Sequence, residues 1–149
     1  LKFVDNGMGI PEKDLKRIAE KLMTNQRLMK LLYYTEKDCL KASDLKPAEI
    51  LSMVNKQIKI VPYLPIEMDC PTFIVITMDN FTPNNNNPEF RDCTISFDIL
   101  CHPDHWNMGD FQLRPYKIAG EIDSMIDGHK LTGIGEMNFL SGNNLVLND

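Results

Sequence analysis

The feature that most constrains the fold is the alternation of apolar and polar residues along residues 93–101 (CTISFDILC). Every second residue is apolar, and these residues would share one face of a strand: Cys93, Ile95, Phe97, Ile99 and Cys101. A period of two predicts a β-strand with one buried face. The upstream run 72–78 (TFIVITM) is rich in β-branched and aromatic residues and is bounded by Pro71 and Asp79. It predicts a second strand, paired with the first.

A polar connection, residues 80–92 (NFTPNNNNPEFRD), joins these two runs and is too long for a tight turn. Four consecutive asparagines are unfavourable in a core, so the connection is predicted to be an exposed hairpin tip that meets another molecule. The contact candidates on it are Phe81, Asn85 and Phe90.

Helical spacing of apolar residues predicts the first element of the chain as one helix or two abutting helices, from Pro11 to about Tyr34. A short helix is predicted over 47–55, and a further one over 114–127 with Gly128 as its left-handed cap. The proline-punctuated segment 59–71 is predicted to be an edge strand or an extended connector.

The remaining segments complete a β-β-α-β-β order from Thr72 onward. Residues 131–140 and 145–147 are predicted to form a closing hairpin around 141–144. We therefore expect an α+β chain with a mostly antiparallel sheet packed against helices. Residues 1–56 are predicted to be an N-terminal helical segment and residues 57–149 the sheet domain, within one compact domain.

Charge is distributed unevenly. Residues 1–47 carry ten Lys/Arg and seven Asp/Glu, whereas the remainder carries six and fourteen. The net charge of −5 disfavours a surface that binds nucleic acid through its phosphates. Basic residues on the first helix are either a solvated face or a patch for an acidic neighbour, such as another copy of the sheet domain. Its candidates are Lys13, Arg17 and Lys21.

Cellular location is constrained by what the sequence lacks. No apolar run approaches the length that spans a bilayer, and the first residues show no secretory signal pattern. Four cysteines without a CxxC spacing favour free thiols in a reducing compartment. Cys93 and Cys101 are expected to be structural thiols on the buried strand face.

Three weak constellations could carry chemistry. Residues 101–105 (CHPDH) offer potential metal ligands at a strand end, which would suit a small metal-dependent hydrolase using His102, Asp104 and His105. No partner cluster of ligands exists elsewhere, and the alternative is a polar loop anchored by Trp106. A Cys101 nucleophile paired with a histidine would require a more exposed thiol.

The glycine pairs in residues 6–9 and 132–135 are not expected to bind phosphate. The first pair follows no convincing strand, and the second pair leads into no helix.

The element order resembles that of the tail terminator (neck) proteins of tailed bacteriophages. The similarity covers roughly residues 49–147, and it is carried by the strand CTISFDILCHPDHW and by the helix that opens at RPYKIAGEIDSMIDG. The developed N-terminal helix and the stop at Asp149 depart from the pattern.

This resemblance implies a structural virion protein without catalytic activity, metal or cofactor. It implies a ring, expected to be a hexamer, at the tail–neck junction, with the tail tube protein and the neck or connector proteins as partners and the sheath as a further one if the tail is contractile. No membrane partner and no sequence-specific nucleic acid are expected, and synthesis takes place in the host cytoplasm. A head–tail adaptor or tail-completion protein is the alternative. Further contact candidates on the second exposed loop are Trp106 and Phe111.

Overall fold

A computed structural model describes residues 1–60, 70–131 and 135–144. It contains a five-stranded sheet in the order β2-β3-β4-β1-β7, a separate two-stranded β5–β6 hairpin, and four α-helices. The strands are β1 Lys2–Met8, β2 Ile58–Lys59, β3 Thr72–Pro83, β4 Arg91–Cys101, β5 Asn107–Gly109, β6 Gln112–Leu113 and β7 Met137–Ser141. The helices are α1 Pro11–Met23, α2 Gln26–Tyr33, α3 Pro47–Ser52 and α4 Arg114–Ile126.

The predicted fold class is confirmed: the protein is α+β with a mostly antiparallel sheet. β3–β4, β4–β1 and β1–β7 pair in the antiparallel sense, and only the two-residue β2 runs parallel to β3. The alternation in residues 93–101 has the expected result, because Ile95 and Phe97 are fully buried while Asp98 is exposed.

The expectation of a helix as the first element was wrong, because the chain begins with strand β1. β1 lies inside the sheet, where Phe3 is opposite both Ile95 of β4 and Phe139 of β7. The fully buried Asp5 occupies a core-facing position, and Gly7 adopts a φ of 110° at an irregularity in the register. Because these two core-facing positions hold a charged residue and a glycine, the sequence of β1 lacks the apolar–polar alternation that predicts a strand.

The helical predictions are confirmed with shorter bounds. α1 and α2 are separate helices, and the Asn25 side chain caps α2 by accepting a hydrogen bond from the Leu28 N–H at 3.1 Å. α3 ends at Ser52, three residues before the predicted end. Gly128 follows α4 with a φ of 71°, the left-handed conformation that favours glycine.

Helices α1, α2 and α4 cover one face of the sheet. Their apolar stripes are fully buried through Ile18, Leu22, Leu28, Leu31, Ile118, Ile122 and Ile126. Phe3 packs edge-on against Phe97 at 5.7 Å and against Phe139 at 5.8 Å between ring centroids. This aromatic line joins β1 to both of its neighbours, so β1 is an integral part of the core.

The β3–β4 hairpin is longer, and its connection shorter, than the sequence indicates. β3 continues past Asp79 to Pro83 through an irregularity at Asn80, whose φ is 56°. β4 already begins at Arg91. The connection predicted over residues 80–92 therefore comprises only residues 84–90. It is shorter because strand pairing resumes at Thr82, after the irregularity that follows Asp79.

Strand β7, within the predicted closing segment 131–140, pairs with β1. The second strand of the predicted closing hairpin, residues 145–147, lies outside the described residues. Much of the proline-punctuated connector, residues 61–69, also lies outside them. Among the described residues, no helix combines the length and the apolar character needed to cross a membrane.

All four cysteines are free thiols, and Cys93 is buried in the core. Burial, and then the nearby carboxylates of Asp5, Asp14 and Asp92, raise the pKa of Cys93 from its ordinary 9.0 to about 12. Burial also raises the pKa of Cys101. A raised pKa keeps a thiol protonated and unreactive at neutral pH, which supports a structural role for both residues.

This shift predicts a loss of stability at alkaline pH that depends on Cys93. Between pH 9.0 and about 12 the unfolded chain ionises this thiol while the folded chain keeps it protonated. Unfolding then releases a proton, so the free energy of unfolding falls as pH rises, with a slope of at most about 1.4 kcal/mol per pH unit from this group. Urea unfolding at pH 8 to 10.5 should give a steeper decline for the natural chain than for Cys93→Ala. Equal declines would contradict the prediction.

Candidate interaction surface

The β5–β6 hairpin carries the most exposed aromatic residue of the described chain. Its turn consists of Asp110 and Phe111, with φ angles of 49° and 59°, and the Phe111 side chain is fully exposed. The left-handed conformation is unfavourable for a bulky residue, and such strain is concentrated at functional sites. The Asn107 side chain braces the turn by accepting a hydrogen bond from the Gly109 N–H at 2.8 Å. The hairpin thus presents Phe111 as a protruding apolar tip.

Trp106 lies at the base of this hairpin and is tied to its own domain. Its indole Nε1 donates a hydrogen bond to the Cys101 carbonyl at 2.9 Å, and its own carbonyl accepts one from the Arg114 N–H at 2.7 Å. The side chain is half-buried. These bonds support the prediction of a polar loop anchored by Trp106.

Beside Trp106 opens a cleft of about 680 Å³ between β4, the start of α4 and residues 142–144. We refer to it as the β4–α4 cleft. Its apolar walls are formed by Ile99, Leu100, Trp106, Pro115, Tyr116 and Ala119. Polar groups stand among them: the Asp98 side chain is exposed, and the Asn144 amide donates to the Tyr116 hydroxyl.

The asparagine-rich tip is a compact turn that its own side chains organise. The Asn84 Oδ1 accepts hydrogen bonds from the main-chain N–H groups of Asn86 and Asn87 at 2.8 and 3.0 Å. Its amide nitrogen donates to Asp92 at 2.7 Å. These are local turns of the kind asparagine favours, so the sequence NNNN encodes a defined shape here.

The three contact candidates on this tip have different surroundings. Phe81 and Asn85 are exposed, and Phe81 retains half of its side-chain surface. Phe90 is half-buried and lies near Gly9, so it packs back onto the domain. Phe81 and Asn85 remain available for a partner.

The basic candidates lie along one line of α1. Lys13, Arg17 and Lys21 are four residues apart and exposed. Arg17 also lies 3.8 Å from the carboxylate of Asp14, which is almost completely buried and accepts a hydrogen bond from the Gly9 N–H at 3.0 Å. Burial raises the pKa of Asp14. One of the three cations is therefore partly neutralised within its own helix.

The candidates on the two loops separate into two groups at opposite ends of β4. The tip that carries Phe81 and Asn85 lies at the Arg91 end, whereas Trp106 and Phe111 follow the Cys101 end. An eleven-residue strand at ~3.3 Å per residue places these ends roughly 35 Å apart. Separate contact surfaces on one chain are what a head-to-tail assembly requires.

The histidine constellation forms a short turn after β4. The His102 Nδ1 accepts a hydrogen bond from the Asp104 N–H at 3.3 Å and lies 3.5 Å from the Asp104 carboxylate. The rings of His102 and His105 are 6.2 Å apart. Across residues 1–60, 70–131 and 135–144, no group of three or more His, Cys, Asp or Glu side chains is arranged to hold a metal ion. His102 instead caps the short 3-10 turn Pro103–His105.

Sequence reasoning missed Arg114, which fixes the position of the hairpin base. Its guanidinium is buried and donates hydrogen bonds to the carbonyl oxygens of His105 at 3.0 Å, Leu31 at 2.6 Å and Glu36 at 2.8 Å. It thereby joins the C-terminal end of α2 to the segment before β5. No signal in the sequence distinguishes this arginine from an exposed one at a helix start.

A comparison with protein-family models identifies the family of the chain. The YomW family model matches residues 25–149, so the chain belongs to the YomW family. YomW is a phage-associated family, which agrees with the phage resemblance of the element order. Searches of curated proteins and of solved structures found no match.

Proposed function

We propose that the protein is a structural subunit of a tailed phage virion. In this proposal it forms a ring that terminates the tail tube and joins it to the head-proximal connector, and it acts without catalysis. The observation that carries the proposal is its membership of a phage-associated family over residues 25–149. The order of the main elements from Thr72 onward, β3, β4, α4 and β7, also supports the proposal, because the resemblance to tail terminators rests on this order.

The proposed partners are other copies of the chain, the tail tube protein and the neck or connector proteins, with a hexamer as the expected ring. The separation of two contact groups along β4 supports an assembly in which different surfaces meet different neighbours. The proposed location is the tail–neck junction of the virion.

Loss of the gene tests the role of the protein as a terminator. A tube without a cap keeps an open end that can add further subunits, so a mutant phage should produce filled heads without tails and tubes of abnormal length. Electron microscopy of lysates shows both products. Tails of normal length that fail to attach would instead identify a head–tail adaptor or completion protein. Complete, infectious particles would contradict a structural role.

Charge reversal on α1 is predicted to impair assembly more than folding. Lys13→Glu, Arg17→Glu and Lys21→Glu together remove an exposed basic line that would face acidic surface on a neighbouring copy. We expect weaker association of the variant, and association of the natural chain should weaken with salt, because the screening length is about 8 Å near physiological ionic strength. Native mass spectrometry over a salt series measures both effects.

The matched control reverses three other exposed cations, Lys37, Lys41 and Lys56. The change in net charge is the same, but none of these residues lies on α1. Equal losses of association in the two triple variants would show that net charge, rather than the α1 surface, is responsible.

A further inference from the structure

Two features at the same end of β4 are complementary in chemistry. One is the fully exposed Phe111 at the tip of the β5–β6 hairpin, and the other is the apolar β4–α4 cleft beside the base of that hairpin. Because Phe111 is fully exposed, it does not occupy the cleft of its own chain. An aromatic side chain buries about 150–250 Å² on docking, and a 680 Å³ cleft has room for it.

The walls of the cleft suit an aromatic ring in particular. Trp106 and Tyr116 both line it, and aromatic pairs favour offset or edge-to-face packing. Ile99 and Leu100 add an aliphatic surface on the strand side.

Polar residues surround both the exposed Phe111 and the apolar cleft, so the two rims are also complementary. Phe111 is flanked by Asp110 and Gln112, which can accept and donate hydrogen bonds. Asn143 and Asn144 line one side of the cleft. An apolar centre with a polar rim is the usual composition of a specific protein interface.

We propose that the β5–β6 hairpin of one copy docks into the β4–α4 cleft of a second copy, with Phe111 buried against Trp106 and Tyr116. The second copy is chosen as occupant because the chain itself carries the complementary element, and in this respect the inference rests on the proposed function. The hydrogen bond from the Gly109 N–H to the Asn107 side chain braces the tip before contact, which lowers the conformational entropy lost on docking.

The chain contains a single tryptophan, and that residue lines the cleft. Its emission therefore reports what enters the cleft. The reporter is the Phe111→Ser variant, which keeps Trp106 and the cleft but lacks the aromatic tip. The titrant is the Trp106→Phe variant, which emits no tryptophan fluorescence but keeps Phe111. Any saturable change in reporter emission then arises from docking between two different chains.

Two controls isolate the contact. The first is the Trp106→Phe/Phe111→Ser double variant as titrant, which shares every change except the aromatic tip. The second is a Phe111→Ser/Ala119→Phe reporter, whose cleft is filled from the α4 side. We expect a saturable response with the Phe111 titrant and the open cleft. Loss of Phe111, or filling of the cleft, should raise the Kd about tenfold or more. Circular dichroism confirms that each variant is folded.

The same response with both titrants, or no response at concentrations up to about 1 mM, would overturn the proposal. A response that requires added tail tube protein would also overturn it, since the occupant would then be that protein. The titration is performed on the purified chain and does not depend on where the protein lies in a virion. Its failure is therefore distinct from a failure of the proposed function.

Discussion

Replacing Arg114 with methionine is expected to lower the free energy of unfolding by about 3–5 kcal/mol, the largest effect we predict from a single side chain. Arg114 is buried, and nearly all of its hydrogen-bond partners are main-chain carbonyl oxygens, including those of Leu31 and Tyr34 at 2.6 and 2.8 Å. Methionine has a similar length but donates no hydrogen bond. Several carbonyl groups at the C-terminal end of α2 would then be buried without a donor.

Urea unfolding followed by circular dichroism measures this loss. The Arg114→Lys variant should show an intermediate loss, because lysine keeps the charge near the helix end but cannot reproduce the planar fork. Arg91→Met is the matched control, since Arg91 also donates to main-chain carbonyls, of Pro88 and Phe90, but in an exposed turn. Arg91→Met should lower the free energy of unfolding by less than about 1 kcal/mol. Similar losses for Arg114→Met and Arg91→Met would show that burial of the guanidinium is unimportant.

Substitution of Gly135 by alanine is expected to destabilise the fold by roughly 3 kcal/mol or more, at or beyond the upper end of the range for overpacking. A Cβ atom at this position would lie 1.2 Å from the carbonyl oxygen and 2.3 Å from the carbonyl carbon of Asn6. These are main-chain atoms of β1, which is held on both sides by β4 and β7. The clash cannot be relieved by a side-chain rotation, so the chain must separate there.

Gly120 provides a control, because its substitution by alanine should raise the stability of the fold instead of lowering it. It lies inside α4, and an added Cβ would meet no atom within 4 Å. Gly120→Ala is expected to stabilise the protein by about 0.5–1 kcal/mol, because alanine favours the helix and restricts the unfolded chain. Thermal unfolding compares the two variants directly. A neutral Gly135→Ala variant would contradict the close approach of this residue to β1.

The sequence predicted the elements in which burial follows a simple period. Residues 93–101 alternate almost perfectly, and Ile118, Ile122 and Ile126 follow helical spacing, so β4 and α4 were identified correctly. β1 was missed because the buried position of Asp5 breaks the alternation. Its partner strands β4 and β7 lie about 90 and about 135 residues further along the chain, and a single sequence gives no sign of such pairing.

The candidate contact surface was predicted less completely than the fold. Phe111 was proposed as a contact residue from its type on a polar loop, but its left-handed conformation was not foreseen, because neither Asp110 nor Phe111 is a glycine or an asparagine. The β4–α4 cleft could not be foreseen, because its walls come from segments that only the tertiary structure brings together. Arg114 was taken for an ordinary helix start, since an arginine before a proline gives no indication of burial.

Cryo-electron microscopy of the assembled phage tests the central claim most directly. We predict a ring of this chain, expected to contain six copies, between the last tail tube ring and the head-proximal neck. The five-stranded sheet and its helical cover should fit the density of each subunit. Density for the chain in the capsid or at the distal tail tip, or its absence from the purified particle, would contradict the proposed function.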